Sequence, residues 1–395
     1  MNGEQKMEKI ILIPDSFKGT MSSETVCRIM SGVLQVHFPD AELVSIPVAD
    51  GGEGSVDCFL CALGGKKKYV QVHGVFGEPM QSYYGVLPGG KTAVVELAAC
   101  AGLPLAKDRL DPGKATTYGV GELLLVAAED GVEQIILGLG GSATNDGGCG
   151  AAAAAGVVFR NKDGRSFVPT GDTLAEIDRI DCSGLNPLLR KLSITAMCDV
   201  DSPPFGETGA AYIFAPQKGA DREAVIRLDQ GLRHLCKKIA EELGTDVSGL
   251  PGGGAAGGAG AGMHAFFHAQ LKPGIETILD LTDFDFCLTG TDLVLTGEGQ
   301  IDGQSLHGKV VAGVARRAAK RQIPVVAVVG SIADGAEETY EQGVTAMFSI
   351  NTKAMDFSQS RWESEKNLKI TMENLSRLLS AGFQHTGRTA KGKER

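Results

Sequence analysis

The sequence predicts an α/β fold in which both ends of the chain supply strands to one parallel sheet while the middle forms a second α/β domain. Three observations carry this reading. Short apolar runs near both ends stop at loops of acids and glycines and are followed by residues of helical periodicity, the pattern of parallel strand and helix units. From about residue 65 the chain changes to alternating polar and apolar residues, as in Lys68-Tyr69-Val70-Gln71-Val72 and Ala93-Val94-Val95-Glu96-Leu97, which reads as a mixed or antiparallel region. Near Asp292 the parallel pattern returns. Five end strands then make a flavodoxin-like doubly wound parallel sheet, with residues 1–65 and 289–386 as the composite domain, 66–288 as the inserted α/β domain and 387–395 as a disordered tail.

In order, 10–14 is a strand ending in Asp15-Ser16-Phe17-Lys18-Gly19, and Ser22 or Ser23 caps a helix that Pro39 stops. A second strand, 43–48, ends in Ala49-Asp50-Gly51-Gly52-Glu53-Gly54 and leads into a helix to about Leu63. A capped helix over 116–129 precedes the strand 134–137. A hairpin follows, then the strand 193–197 ending in Cys198-Asp199-Val200-Asp201, a long helix over 221–243 and a glycine-rich segment, 251–262. The strand 293–296 ends in Gly297-Glu298-Gly299-Gln300-Ile301-Asp302, and a helix over 309–320 and strands 324–329 and 345–349 complete the sheet.

Composition narrows the class. The 395 residues suit two or three domains, and 43% hydrophobic with 22% charged residues describes a globular protein. A net charge of -10 argues against a nucleic-acid partner. No signal peptide or membrane span is visible, so a cytoplasmic location with nine reduced cysteines is expected. Cys58 and Cys61 have no second pair at metal-binding spacing and are expected to share a buried helix face.

The stretch 137–150, LGLGGSATNDGGCG, places a glycine loop between a strand and a helix start. Glycines allow close backbone approach, and Ser142, Thr144 and Asn145 add donors near a helix N-terminus, so Gly140, Gly141, Ser142, Thr144, Asn145, Asp146 and Gly147 are candidate ligands of phosphate or substrate. A turn packed for its own sake is the plainer alternative. It is not a dinucleotide fingerprint, since Gly138-Leu139-Gly140-Gly141 lacks the last glycine in frame, and no GxxxxGK[ST] occurs.

Three end strands carry acid-plus-glycine loops where an open sheet binds ligands: Asp15 and Ser16 with Lys18; Asp50, Gly51, Gly52 and Glu53; and Glu298 and Asp302 with Lys309. Solvated surface loops are the alternative for each taken singly. Carboxylates beside phosphate imply Mg²⁺, with Asp201 and Glu298 as candidate ligands, while Lys18, Lys218 and Lys309 supply positive charge. Lys18 and Lys309 are the candidate catalytic cations, Asp199 the candidate base, and His307 a possible ligand or acid that is more simply a hydrogen-bonding residue.

These loops, with Gly209-Ala210, Pro216-Gln217-Lys218-Gly219 and Gly308-Lys309, stand in the order found in type I bacterial glycerate kinases, which the chain resembles from about Lys9 to Phe383. The resemblance implies two α/β domains, one inserted into the other, and phosphorylation of D-glycerate by ATP with Mg²⁺ at an interdomain cleft. Motifs of this type resemble the 2-kinases, implying 2-phosphoglycerate; 3-phosphoglycerate is the alternative product. Ser202-Pro203-Pro204 and Gln304-Ser305 depart from the family's Asn-Pro-Leu and Gln-Thr. A non-catalytic sensor of a hydroxyacid or nucleotide is the competing class, but it has no use for so many carboxylates near a phosphate site.

Overall fold

The computed structural model describes residues 7–49, 51–303, 309–353 and 356–389. The chain forms two units, Met1–Ala49 with Ile275–Arg395, and Asp50–Gly274. The first is the composite unit. Its five strands lie in the order Glu42–Ser45, Lys9–Pro14, Leu293–Gly297, Val325–Val329, Val344–Ser349, every neighbouring pair parallel. Counting only the end strands, this is the 2-1-3-4-5 order of a flavodoxin-like sheet.

A parallel sheet covered on both faces needs strands apolar on both sides, and Ile10, Ile11, Leu12 and Ile13 are all fully buried. Ile10 and Leu12 face a core completed by Val26, Met30 and Leu34 of the helix Ser23–His37 and by Leu368, Met372 and Leu375 of the helix Ser364–Thr389. The helix Val310–Ala319 also packs on the central strands. Ser22 caps the first helix, accepting from the Thr25 backbone N–H at 3.2 Å. Ser23 has another task. Its Oγ donates to the Pro14 carbonyl at 2.7 Å and accepts from the Val48 N–H at 2.8 Å, tying two strand ends together.

The inserted unit has a six-stranded sheet. Gln270–Lys272, Ser193–Met197, Gln134–Gly138 and Thr92–Glu96 run parallel, and Pro79–Val86 and Lys66–His73 are added antiparallel. The expected hairpin is a small sheet in which Val158–Arg160 pairs with Ser166–Phe167 and Arg179–Asp181. Among the described residues, no helix is long and apolar enough to cross a membrane.

The unit limits fall earlier in the chain than the expected 65/66 and 288/289. The helix Ser55–Leu63 belongs to the insertion, because the Val56 N–H donates to Glu96 Oε1 at 2.5 Å and the helix packs over Gly85. The helix Gly274–Leu281 passes to the composite unit, where Arg317 Nη2 holds Glu276 at 2.6 Å and, at 2.5 Å, Asp280. Ser364–Thr389 remains helical through the first residues expected as tail, and 390–395 lie outside the described residues. Cys58 and Cys61 do not share a buried face: Cys61 is exposed, and Val56 and Phe59 take the inner positions of that helix.

The insertion's glycines bring backbone against backbone. A Cβ on Gly262 would lie 2.0 Å from the Gly147 carbonyl oxygen, whereas one on Gly32, inside the helix Ser23–His37, would meet nothing within 4 Å. Gly262→Ala should therefore cost about 1–3 kcal/mol of overpacking. Gly32→Ala should add about 0.5–1 kcal/mol of helix stability. Urea melts of the two variants check both signs; a stable Gly262→Ala would show that this contact yields freely.

Candidate active site

In the composite unit the site residues gather where its two central strands end. Pro14 and Gly297 are register partners, and the Asp15 N–H donates to the Gly297 carbonyl at 2.8 Å, so Asp15 and Glu298 leave the sheet side by side. This is the switch point of a doubly wound sheet, the position at which such folds bind ligands. Both carboxylates are buried, and Asp15 Oδ1 accepts from the Ser16 N–H at 2.6 Å. A Cβ on Gly299 would sit 3.4 Å from the Lys18 backbone nitrogen, so the two loops run close together. Lys18 is exposed. Lys309, just before the helix Val310–Ala319, pairs with Asp302 at 3.4 Å. Asp50 and His307 lie outside the described residues.

The remainder of the Asp50 loop packs within the inserted unit. Gly51, with φ +78, would place a Cβ 3.1 Å from that of Met197, and a Cβ on Gly140 would fall 2.7 Å from the Gly52 Cα. The Gly140 N–H donates to the Gly51 carbonyl at 3.0 Å. Glu53 is exposed at the end of this loop. The loop is fixed from below by Glu96, whose carboxylate receives the N–H groups of Val56 and, at 3.3 Å, Gly54. Burial pushes the Glu96 carboxyl up against the pull of those two donors.

The long glycine loop is organised by Asp146, which is fully buried. Its Oδ2 accepts from the Thr117 N–H at 2.7 Å, the Thr117 hydroxyl at 2.8 Å and the Gly150 N–H at 3.2 Å, and its Oδ1 from the Gly148 N–H at 3.1 Å. Thr117 Oγ1 accepts from the Ala151 N–H at 2.9 Å. The backbone donors at the start of the helix Cys149–Ala154, expected to face a phosphate, are thus bound to the protein's own side chains. Burial raises the Asp146 carboxyl against these bonds.

Upstream the same loop looks different. Lys218, only 3% exposed, donates from Nζ to Ser142 Oγ and to the Thr144 carbonyl, both at 2.8 Å. Neither partner is charged, and burial lowers its ammonium to about 7, while the charge of Asp146 works the other way. Asn145 is fully buried, and neither Nδ2 nor Oδ1 has a hydrogen-bond partner among the described residues. Gly141 and Gly147 take φ of +75 and +62, and the Gly147 N–H donates to the Gly257 carbonyl at 3.1 Å.

Asp199 and Asp201 follow the strand Ser193–Met197. Asp199 Oδ1 accepts from the Gly274 N–H at 2.7 Å, and Asp201 is exposed.

Sequence reasoning missed Glu96, Thr117 and the role of the segment 252–258. A carboxylate closing the apolar run Ala93-Val94-Val95 was a readable signal for the first. The segment presses on the glycine loop: a Cβ on Gly257 would lie 2.0 Å from the Thr144 carbonyl oxygen, and Gly254 N–H donates to Ser202 O at 2.8 Å.

Among the described residues, no three His, Cys, Asp or Glu side chains form a metal cage. Mg²⁺ needs none, since it binds through one or two carboxylates together with substrate phosphates and waters. Asp15 and Glu298, two buried carboxylates at adjacent strand ends, are oxygen donors of that kind.

The fold defines an α/β protein of parallel sheets flanked by helices. The model of the glycerate kinase family matches residues 10–380. A glycerate kinase of Halalkalibacterium halodurans is 42% identical over 371 residues, covering 94% of this chain and 98% of the relative. A glycerate 2-kinase of Escherichia coli K12 is 40% identical over 380 residues, covering 96% and 100%. A crystal structure of a candidate glycerate kinase 2 from Salmonella typhimurium LT2 superposes with a TM-score of 0.85 at 39% identity, covering 96% and 100%. The chain belongs to the glycerate kinase family and is an enzyme, which sets the sensor reading aside.

Lys218 generates a prediction of its own. Between about 7 and its ordinary 10.5, the unfolded chain holds a proton that the folded chain has shed, so this group makes the fold more stable as pH rises from 7 to 9. Urea midpoints at the two pH values should differ more in the wild type than in Lys218→Met. Equal differences would show that Lys218 keeps its proton throughout.

Proposed function

We propose that the chain transfers the γ-phosphoryl group of ATP to D-glycerate with Mg²⁺, forming 2-phosphoglycerate. The observation that carries the phosphoryl-transfer part is the pairing of Asp15 and Glu298 at adjacent strand ends, with Lys309 beside Asp302 on the loop that follows. The likeness to a glycerate 2-kinase supports the 2-hydroxyl as acceptor.

In this reading Lys18 and Lys309 offset charge on the phosphoryl oxygens. Glu298 and Asp15 are the carboxylates that would hold Mg²⁺, and the ion when bound supplies neutralisation of the polyphosphate. Asp199, half-buried at its strand end, takes the proton of the attacking hydroxyl as the new O–P bond forms and the bond to the departing ADP breaks. Phosphoryl transfer asks the protein chiefly for positioning and charge, and these groups supply both.

Purified protein should release ADP with D-glycerate and Mg²⁺, release little without glycerate, and stop on addition of EDTA. Turnover undiminished by the chelator would remove the metal from this account. Phosphorus NMR of the product should show 2-phosphoglycerate; a 3-phosphoglycerate signal would move the acceptor to the other hydroxyl. Asp199→Asn should lower kcat by about 10²–10⁴ if Asp199 is the base. A wild-type kcat in that variant would assign its carboxylate to holding Gly274 alone.

A further inference from the structure

We propose that Lys218 and the loop segment 142–145 form the acceptor subsite, built for a small 2-hydroxy carboxylate, and that this glycine loop is not the phosphate cradle. The inference rests on the reading that the chain phosphorylates D-glycerate, and adds to it which part of the acceptor these residues hold.

The first argument is by occupancy. A glycine loop cradles phosphate with the N–H groups at the following helix start. Here those groups are bound to Asp146 and Thr117 inside the protein. A phosphate arriving at the same place would meet a buried carboxylate.

The second argument is charge. The Lys218 ammonium is buried with two neutral acceptors, Ser142 Oγ and the Thr144 carbonyl, and pairs with no carboxylate among the described residues. Burial disfavours the charged form of Lys218, the buried Asp146 carboxylate offsets this only in part, and a ligand carboxylate in hydrogen-bond reach would restore the ammonium. One ammonium balances one carboxylate. A triphosphate, with about four charges, asks for a helix start, several cations or a metal ion.

The third argument is the hydrogen-bonding need of Asn145. Both its donor Nδ2 and its acceptor Oδ1 are buried and unpartnered among the described residues. Leaving both unsatisfied in the bound state is costly. Phosphoryl oxygens largely accept, so a phosphate would satisfy Nδ2 and leave Oδ1 orphaned. In the complex without nucleotide, a 2-hydroxy carboxylate offers an O–H for Oδ1 and a carboxylate oxygen for Nδ2; the hydroxyl turns to Asp199 only for the transfer step.

The cover over this loop is the segment 256–258, three successive residues in the left-handed region with φ of 53, 66 and 86. Ala256 is strained there by its Cβ. Gly257 lies against Thr144 and Asn145, where a Cβ would be 2.5 Å from the Asn145 Cα. Since Asn145 is sealed from water, ligand entry requires this turn to shift.

The test uses the full chain and three ligands: D-glycerate, ATP and 3-hydroxypropionate, which keeps the carboxylate and the 3-hydroxyl but lacks the 2-hydroxyl. Asn145→Ala should raise the KM for D-glycerate at least tenfold, leave the KM for ATP within about twofold, and shrink the wild type's preference for binding D-glycerate over 3-hydroxypropionate in calorimetry without nucleotide. Lys218→Met should weaken both carboxylates equally, and Lys218→Arg should restore part of the loss. A raised KM for ATP with an unchanged KM for glycerate would give the loop to the nucleotide and overturn the proposal. Unchanged KM values with a lowered melting temperature would make Asn145 and Lys218 structural only and also overturn it. Should the variants not fold, equal wild-type affinity for D-glycerate and 3-hydroxypropionate would sink it alone. A wild-type enzyme that releases no ADP with D-glycerate would instead sink the functional reading.

Discussion

The inserted unit depends on one buried carboxylate. Asp146 gathers three backbone N–H groups and the Thr117 hydroxyl around two oxygens. Each bond offsets part of the desolvation cost of burying a charge, and together they set the course of the chain between the strand Gln134–Gly138 and the helix Cys149–Ala154. With that course set, Gly147 and Gly148 hold positive φ and the segment 252–262 can lie directly on them. Glu96 repeats the device on the shorter loop, where its carboxylate takes the Gly54 and Val56 N–H groups. In both places a helix start that would attract an external anion is filled by an internal one.

This arrangement separates two kinds of residue within a few positions of one loop. Asp146 and Thr117 are bound into the scaffold, whereas Ser142 and Thr144 hold the buried Lys218 Nζ, and the Asn145 amide has no hydrogen-bond partner among the described residues. The composite unit differs in kind. Its carboxylates Asp15 and Glu298 leave adjacent strand ends, and on the same unit Lys309 is salt-bridged to Asp302 and Lys18 is exposed.

The sheet order of the composite unit was legible because its strands are short runs rich in apolar residues, three of which lead into loops of acid and glycine, a pattern set by local residues. The unit limits were less so. Nothing in Ser55–Leu63 itself says that Glu96 and Gly85 will claim that helix, because those contacts join residues about thirty to forty apart in sequence. At the site, residue types were readable and side-chain directions were not: Ser142 and Asp146 look equally available in the string, yet Asp146 is saturated by scaffold N–H groups and the Thr117 hydroxyl while Ser142 Oγ accepts from Lys218. Lys218 was readable as a cation, but its burial follows from how Pro216–Lys218 packs under the glycine loop. The role of 252–258 was hidden because glycine runs announce freedom of the backbone without naming what will approach it.

The inserted unit is one unbroken stretch of chain, and that has a consequence for biosynthesis. The strand Lys9–Pro14 emerges from the ribosome early, but its neighbour Leu293–Gly297 is made only after the whole insertion. At about 5–20 residues per second, the interval is on the order of tens of seconds. Throughout it the apolar run Ile10 to Ile13 lacks the central partner that will bury it, with only Glu42–Ser45 available to pair. The insertion, by contrast, has all its own strands before the last third of the chain exists. The composite sheet can therefore close only after the insertion has been made, and the strand Lys9–Pro14 waits longest for its partner.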